Sequence, residues 1–463
     1  MSVRRRALQL PALSAISIVA LAVATYLAFA PSLFNDGDTG WHLAAGQWIV
    51  AHRAVPDTDP FSFTMRGHPW TAHEWLAEVV MALVLKIGGW RGLALLFAVA
   101  FGATLWLVGR SLDRSLPPRY AIVSLAGVAA ILAPGALARP HLLAWPLLAL
   151  WLSVLVRARL EHRAPHVASA LLITIWANLH ASYIIGLAIA AAFALEALVE
   201  ETDRRNVIVG WGSFGLASLA AAFITPHGIQ GFLYPFQVSS MKALPLIGEW
   251  RAAQLPKDLP FALFAAAIAG VAIARWRRIG VVRIAMIAGL GVLGVLHARH
   301  QAVFAIAAAI ALLPRAFTQV DRVVTRRNAV TLAVALVVLA AVRLAIPLNR
   351  PATPNWPMTA LAVIPPDLRS APVLNSYSFG GPMIFTGLAP FIDGRADMYG
   401  DDFTLAHQRM MHGDMAEFDA AARHWKLKWV ILHPQERLAG RLFTTPGWRR
   451  LYADRQAVIF VHD

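Results

Sequence analysis

Phe34-Asn-Asp-Gly-Asp-Thr-Gly-Trp-His42 is the stretch from which the rest of the chain takes its meaning. It follows directly on the first long apolar run, 8–30. Two carboxylates, Asp36 and Asp38, stand two residues apart, and an aromatic–imidazole pair, Trp41 and His42, closes the stretch. A chain that leaves a bilayer and at once presents two acids has set costly polar groups beside lipid, where such groups usually serve function. In one reading a carboxylate is a general base, or both help to hold a divalent ion near a phosphate. In the other they are solvated turn acids, because Asp38-Thr39-Gly40 is a good helix start. The cap reading uses Asp38 for the helix and leaves Asp36 freer to act as base. Which of the two faces a site stays open.

Working outward, the composition fixes the class. Of 463 residues, 58% are hydrophobic and only 14% charged, and apolar runs near twenty residues recur. A soluble domain needs no such excess, so the runs read as membrane spans. A net charge of +15 would suggest nucleic acid in a soluble protein. Here the Arg residues cluster in short loops between apolar runs and read as topology signals instead. No Cys is present, so disulfide and thiol chemistry are excluded. Arg4-Arg5-Arg6 before the first run imitates a secretory signal, but the run is long and more follow, so it is expected to stay as a first span.

The further spans are expected at 91–109, 120–137, 140–156, 166–181, 183–199, 207–225, 259–275, 280–297, 301–314 and 329–347, about eleven with the first. Segment 73–89 is helical in pattern but carries Glu74, Glu78 and Lys86, and is expected to lie at the interface rather than span. With a cytoplasmic start, the clusters at Arg4–Arg6, Arg110/Arg114/Arg119, Arg157/Arg159/Arg163, Arg204/Arg205, Arg275/Arg277/Arg278 and Arg322/Arg326/Arg327 all fall inside. The outer side then collects 31–90, Arg139-Pro-His141, Asn178-Leu-His180, Pro226 through Trp250, and His297-Ala-Arg-His300. Polar corners converging on one membrane face make a site or a water-facing vestibule.

Residues 1–348 therefore form a transmembrane domain whose outer loop is 31–90, 349–365 a Pro-rich linker, and 366–463 a small extracytoplasmic α/β domain. Strands are expected at 373–374, 390–392, 428–432 and 457–461, and a helix over 412–425 started by Asp414. Phe379-Gly-Gly-Pro382 and Ile392-Asp-Gly-Arg-Ala-Asp397 are expected as turns, with Asp393, Asp397, Asp401 and Asp402 at the surface.

Among the corners, Arg139 and Arg299 suit bidentate phosphate recognition, against the plainer reading of snorkelling at a helix end. His42, His73, Glu74, His141, His180 and His300 would line the cavity between them. Trp70 and Trp75 read first as membrane anchors. A divalent cation, Mg or Mn, would sit at Asp36 and Asp38 if one is used. The sequence holds no HExxH motif, no Walker A motif and no nucleotide-binding glycine loop in strand–helix context.

The arrangement resembles the GT-C superfamily of membrane glycosyltransferases. The resemblance rests on one span followed by a long outer loop that opens with Asp36 and Asp38, and on a terminal outer domain. More narrowly it resembles a bacterial group of that superfamily with the motifs Asp38–His42, Asp59–Ser62, His73–Leu76, Trp176–His180 and Ile392–Arg395. What the resemblance implies is inverting transfer of a sugar from a polyprenyl-phosphate donor to a lipid, glycan or protein acceptor, at the periplasmic face of the bacterial inner membrane. Asp36 or Asp38 would be the base and the cationic corners would hold the phosphate. Oligosaccharyltransferases carry Trp-Trp-Asp in the outer domain; the comparable place here reads Tyr377-Ser-Phe-Gly380, which speaks against asparagine as acceptor. The competing readings are a membrane assembly protein that kept the fold without the chemistry, and a transporter. The broken mid-bilayer helices and repeated halves expected of a transporter are not visible in the sequence.

Overall fold

The computed structural model describes residues 15–317, 326–348 and 353–463. Arg4–Arg6, the start of the first expected span, Arg322 and Pro351 lie outside them. Every expected span has a helical counterpart. The membrane-type part runs through α1 (Ala15–Phe29), α2 (Asp38–His52), α3 (Trp75–Asp113), α4 (Pro118–Leu132), α5 (Pro140–Leu160), α6 (Leu171–Leu179), α7 (Tyr183–Glu200), α8 (Arg204–Ala222), α9 (Gly228–Ser239), α10 (Leu259–Ala274), α11 (Trp276–Ile279), α12 (Val281–Leu296), α13 (Gln301–Ala307), α14 (Leu313–Ala316) and α15 (Arg326–Ala345). Four of these helices are long and apolar enough to cross a bilayer, and five shorter apolar ones accompany them. A π-helical turn, Ala308–Leu312, joins α13 to α14. Nearly every residue of 301–316 is buried, as a helix apolar on all sides requires.

One boundary differs from expectation. The interfacial helix 73–89 and the span after it form a single 39-residue helix, α3, bent at Gly89. Gly89 sits at φ +59°, a conformation open to glycine at little cost, so the chain turns without leaving the helix. The first half of α3 lies tight against α2. A Cβ at Gly46 would collide with the backbone oxygen of Glu78, so glycine is what permits this approach.

The C-terminal part adds α16 (Met358–Ala362), β1 (Val373–Asn375), α17 (Gly380–Phe385), α18 (Ala396–Met411), α19 (Met415–Trp425), β2 (Trp429–Leu432), α20 (Arg437–Leu442), β3 (Trp448–Ala453) and β4 (Val458–His462). The sheet order is β1-β2-β4-β3, with β1 parallel to β2 and the other pairs antiparallel. The Asp414 side chain accepts the Glu417 N–H and starts α19 as expected. Segment 390–392 is not a strand. Pro390 cannot donate to a ladder. The Asn375 amide takes the place of a ladder, accepting from Phe391 N at 2.8 Å and donating to Ile392 O at 2.8 Å. β3 was missed because Arg449 and Arg450 hide its pattern; it forms the exposed edge of the sheet.

The expected turn at 379–382 is instead the start of α17. Cβ atoms at Gly37, Gly40 and Gly381 would each strike backbone across the α2–α17 contact, so these glycines let the C-terminal part press directly on the start of α2. Behind it, Trp356 Nε1 donates to Asp36 O at 2.5 Å and Asn355 Nδ2 to Asn35 O at 3.2 Å.

Candidate functional site

The site begins where α2 begins. The Asp36 carboxylate accepts the Asp38 N–H, the first of the helix, at 2.8 Å. Gly37 is the N-cap residue, so Asp36 holds the helix start from outside it and Asp38 lies in the first turn. Thr39 Oγ1 donates to Ala138 O at 3.1 Å, and Ala138 N to Leu33 O at 2.8 Å, which holds the segment before α5 beside α2. Arg139 is thereby delivered to both acids, with Nη2 3.1 Å from Asp38 and Nη1 3.5 Å from Asp36. The same Nη1 lies 3.1 Å from Glu249, whose other oxygen is 3.2 Å from Arg299. Arg299 stacks over Trp250 at 4.4 Å. His300 completes this corner, its ring 6.2 Å from the same indole. The result is a row of alternating charge, Asp36/Asp38–Arg139–Glu249–Arg299. Burial, with Asp36 and Glu249 nearby, pushes the Asp38 carboxyl up to about 7 even against Arg139. Burial works the same way on Glu249, but Arg139 and Arg299 on either side outweigh it and hold that carboxyl at about 2.

A second group lies one helical turn further along. His42 Nδ1 is 3.2 Å from Glu78 and its Nε2 is 3.8 Å from Glu74. The other Glu74 oxygen faces His180 at 3.6 Å and His73 at 3.7 Å. Ser182 Oγ fixes His180 Nδ1 at 2.7 Å, and His73 stacks on Tyr234 at 4.0 Å. His141 meets Gly135 O through Nε2 at 2.7 Å and brings its ring within 6.3 Å of His180. One ligand atom from each of His42, Glu74 and Glu78 lies within 4.8 Å of the others, a donor set able to hold a metal ion.

The C-terminal part supplies the third wall. Gly394 abuts the Asp38 carboxylate and the Trp41 indole N–H so closely that a Cβ there would collide with both. The neighbours of Gly394 are not the surface turn acids expected. Asp393 and Arg395 are buried, and Arg395 bridges Asp393 at 2.6 Å and Asp59 of the outer loop at 2.7 Å. Tyr399 OH donates to Asp393 at 2.8 Å, and the Arg395 guanidinium lies 4.7 Å over Trp70. Trp70 therefore packs inside and is no membrane anchor, and Trp75 donates Nε1–H to Asn178 at 2.6 Å. Asp397 accepts from Tyr234, which carries the same wall to His73. Asp401 accepts the N–H groups of Lys242 and Ala243 and ties α18 to the segment after α9.

All ten residues singled out from sequence, Asp36, Asp38, His42, His73, Glu74, Arg139, His141, His180, Arg299 and His300, fall in this one cluster. Glu249, Glu78, Tyr234, Asp397 and Gly394 join them without being among those ten. Glu78 was findable, because Glu74 and Glu78 are four apart and share a helix face. Glu249 sits in an irregular loop whose position no periodicity reports.

The cluster also gathers helix starts. α2, α5, α7 and α13 all begin at it, which favours anions there. At the far end of the 21-residue α5, about 31 Å away by helix rise, Arg159 meets Glu196, Glu200 and Glu201, and Arg283 meets Glu196. Arg159 was counted from sequence as a loop cation; it is buried in this network.

No family model matches the sequence, and no curated protein matches it. Solved structures do. The oligosaccharyltransferase of Archaeoglobus fulgidus in its apo form is 13% identical, with a TM-score of 0.56 over 90% of this chain and 69% of its own. The archaeal oligosaccharyltransferase AglB from the same organism, in complex with an inhibitory peptide and a dolichol-phosphate, is 12% identical, with a TM-score of 0.57 over 97% of this chain and 74% of its own. ArnT from Cupriavidus metallidurans, bound to undecaprenyl phosphate, is 11% identical, with a TM-score of 0.53 over 96% of this chain and 97% of its own. At such identities the likeness is one of fold. The chain shares the fold of these oligosaccharyltransferase and ArnT structures.

Proposed function

Starting from the GT-C fold, we propose that this chain is a glycosyltransferase that moves a sugar from a polyprenyl-phosphate donor to a hydroxyl-bearing acceptor at the outer face of a bacterial inner membrane. The observation that carries this reading is the row Asp38–Arg139–Glu249–Arg299 at the meeting point of four helix starts. It sets a carboxylate of raised basicity beside two guanidinium groups, the charges that a phosphate leaving group requires. In the step so inferred, Asp38 takes the acceptor proton as the acceptor oxygen bonds to the anomeric carbon. The bond from that carbon to the phosphate oxygen breaks and the phosphate leaves with the electron pair. Attack from the face opposite the phosphate inverts the anomeric centre. Arg139 and Arg299 would hold the departing phosphate, and Glu249 keeps their spacing. Asp36 serves the helix start. The Mg or Mn ion raised for Asp36 and Asp38 fits poorly beside a guanidinium that already faces both carboxylates, and no step here depends on one. Localisation and orientation follow the Arg clusters, and the C-terminal part would stand outside.

The test is turnover of a polyprenyl-phosphate sugar by purified protein. Asp38→Asn should lower it by about 10²–10⁴-fold, the usual contribution of a general base, and Asp36→Asn by less. Full activity in Asp38→Asn at normal membrane levels would remove the assignment. One observation favours a second reading, an assembly protein without chemistry: Gly394 and Trp41 close tightly over Asp38. In that case the wild type should neither turn over nor retain lipid phosphate.

A further inference from the structure

Among the described residues, buried acids that face an arginine contrast with one pair that does not. Asp59 and Asp393 each meet Arg395, at 2.7 and 2.6 Å, and Glu196 meets Arg283 at 2.5 Å. Such pairing is what a buried carboxylate needs, since a charge taken out of water without a partner is strongly disfavoured. Among the described residues Glu74 and Glu78 have no such partner: their ion-pair contacts there are to histidine. Glu78 is 1% exposed, and its Oε2 is buried without a hydrogen-bond partner among the described residues. Two buried acids thus stand four residues apart, Glu74 at the N-cap of α3 and Glu78 in its first turn, opposite His42 of α2.

We propose that His42, Glu74 and Glu78 form a binding site for one divalent transition ion of the zinc or manganese class, which clamps α2 to α3 behind Asp38. The donor set is one imidazole nitrogen and carboxylate oxygens, with no thiolate in the whole chain. That mixture suits Zn²⁺ or Mn²⁺ better than Ca²⁺, which takes oxygen ligands, or Cu⁺, which takes sulfur. The surroundings have the form of a second ligand layer. His180 and His73 approach the Glu74 oxygen that does not face His42, and Ser182 orients His180, as partners that fix a ligating carboxylate do. Gly46 brings the α3 backbone at Glu78 against α2, which keeps the three ligands on facing surfaces. The consequence reaches the candidate base. The His42 ring packs on Trp41 at 3.6 Å, and the Trp41 indole N–H borders Asp38 beside Gly394. Ligation of His42 fixes that indole, so the ion positions and does not react. The site is independent of the glycosyl-transfer reading, because ion uptake would stand even if no sugar were transferred.

The experiment uses the full chain in detergent, stripped with chelator and reloaded with Zn²⁺ or Mn²⁺, with elemental analysis and thermal midpoint as readouts. About one equivalent should bind and raise the midpoint. Glu78→Gln and His42→Gln should each weaken uptake at least tenfold, while the double variant Asp36→Asn/Asp38→Asn should keep it. No uptake above background by the wild type overturns the site. So does uptake that survives Glu78→Gln and His42→Gln, or that is lost only in the Asp36/Asp38 pair. Should the ligand variants fail to fold, pulsed EPR of Mn²⁺ on the wild type decides: a directly bound imidazole nitrogen supports the site, and its absence overturns it.

Discussion

Asp36 and Asp38 are chemically alike and two residues apart, yet the fold separates their duties. Asp36 accepts a main-chain N–H at the start of α2, while Asp38 faces Arg139 in a buried setting that lifts its carboxyl to about 7. A base must be ionised, so turnover should rise with pH through about 7 and fall below it; a pH–rate profile that is flat from 5 to 8 would contradict the assignment. Gly394 offers a sharper test at the same scale. Its backbone is not in the left-handed region, so alanine is allowed by conformation, but the added Cβ would displace Asp38 and Trp41. Gly394→Ala should lower turnover about tenfold or more and shift the thermal midpoint only slightly, since a misplacement near 1 Å can cost that much in rate. Equal activity in this variant would mean that Asp38 does not act from where it lies.

At the scale of elements, the outer loop and the segment before α18 are joined by Arg395. Removing one partner of a buried, hydrogen-bonded ion cluster leaves the others uncompensated, at a cost of about 3–5 kcal/mol. Arg395→Met strands Asp59 and Asp393 together and should loosen the C-terminal part from the α2 start. Limited proteolysis between α16 and the preceding segment would report it, with faster cleavage expected than in the wild type. The pairing was hard to read from sequence. Asp59 and Arg395 lie 336 positions apart, and Asp-Pro and Asp-Gly are also what ordinary surface turns look like. By contrast α19 was legible, because a cap residue and its helix are local.

At the scale of the whole molecule, two polar clusters occupy the two ends of α5, the candidate site at its start and the Arg159–Glu196–Arg283 network at its end. That polarity fits the orientation inferred from the Arg-rich loops. The cysteine-free chain makes it testable. Arg423→Cys, on exposed α19, should react with a membrane-impermeant thiol reagent in cells with a permeable outer membrane. Arg204→Cys, at the exposed start of α8, should react only after the inner membrane is opened. The reverse pattern would invert the proposed topology.

The sequence by itself determined the helical class, the place of every apolar run and ten of the polar residues of the cluster, because hydropathy and cationic loops are local properties of the chain. It also carried the motifs whose resemblance pointed to the GT-C fold. Only the structure decided that Asp36 accepts the first N–H of α2 while Asp38 faces Arg139, that the 73–89 helix continues through Gly89, and that Asp393 and Arg395 lie inside. The last of these depends on what approaches from far along the chain, Asp59 standing 336 positions from Arg395. Glycines at 37, 40, 46, 381 and 394 leave room for that approach, and a missing side chain carries no sign of what will fill its space.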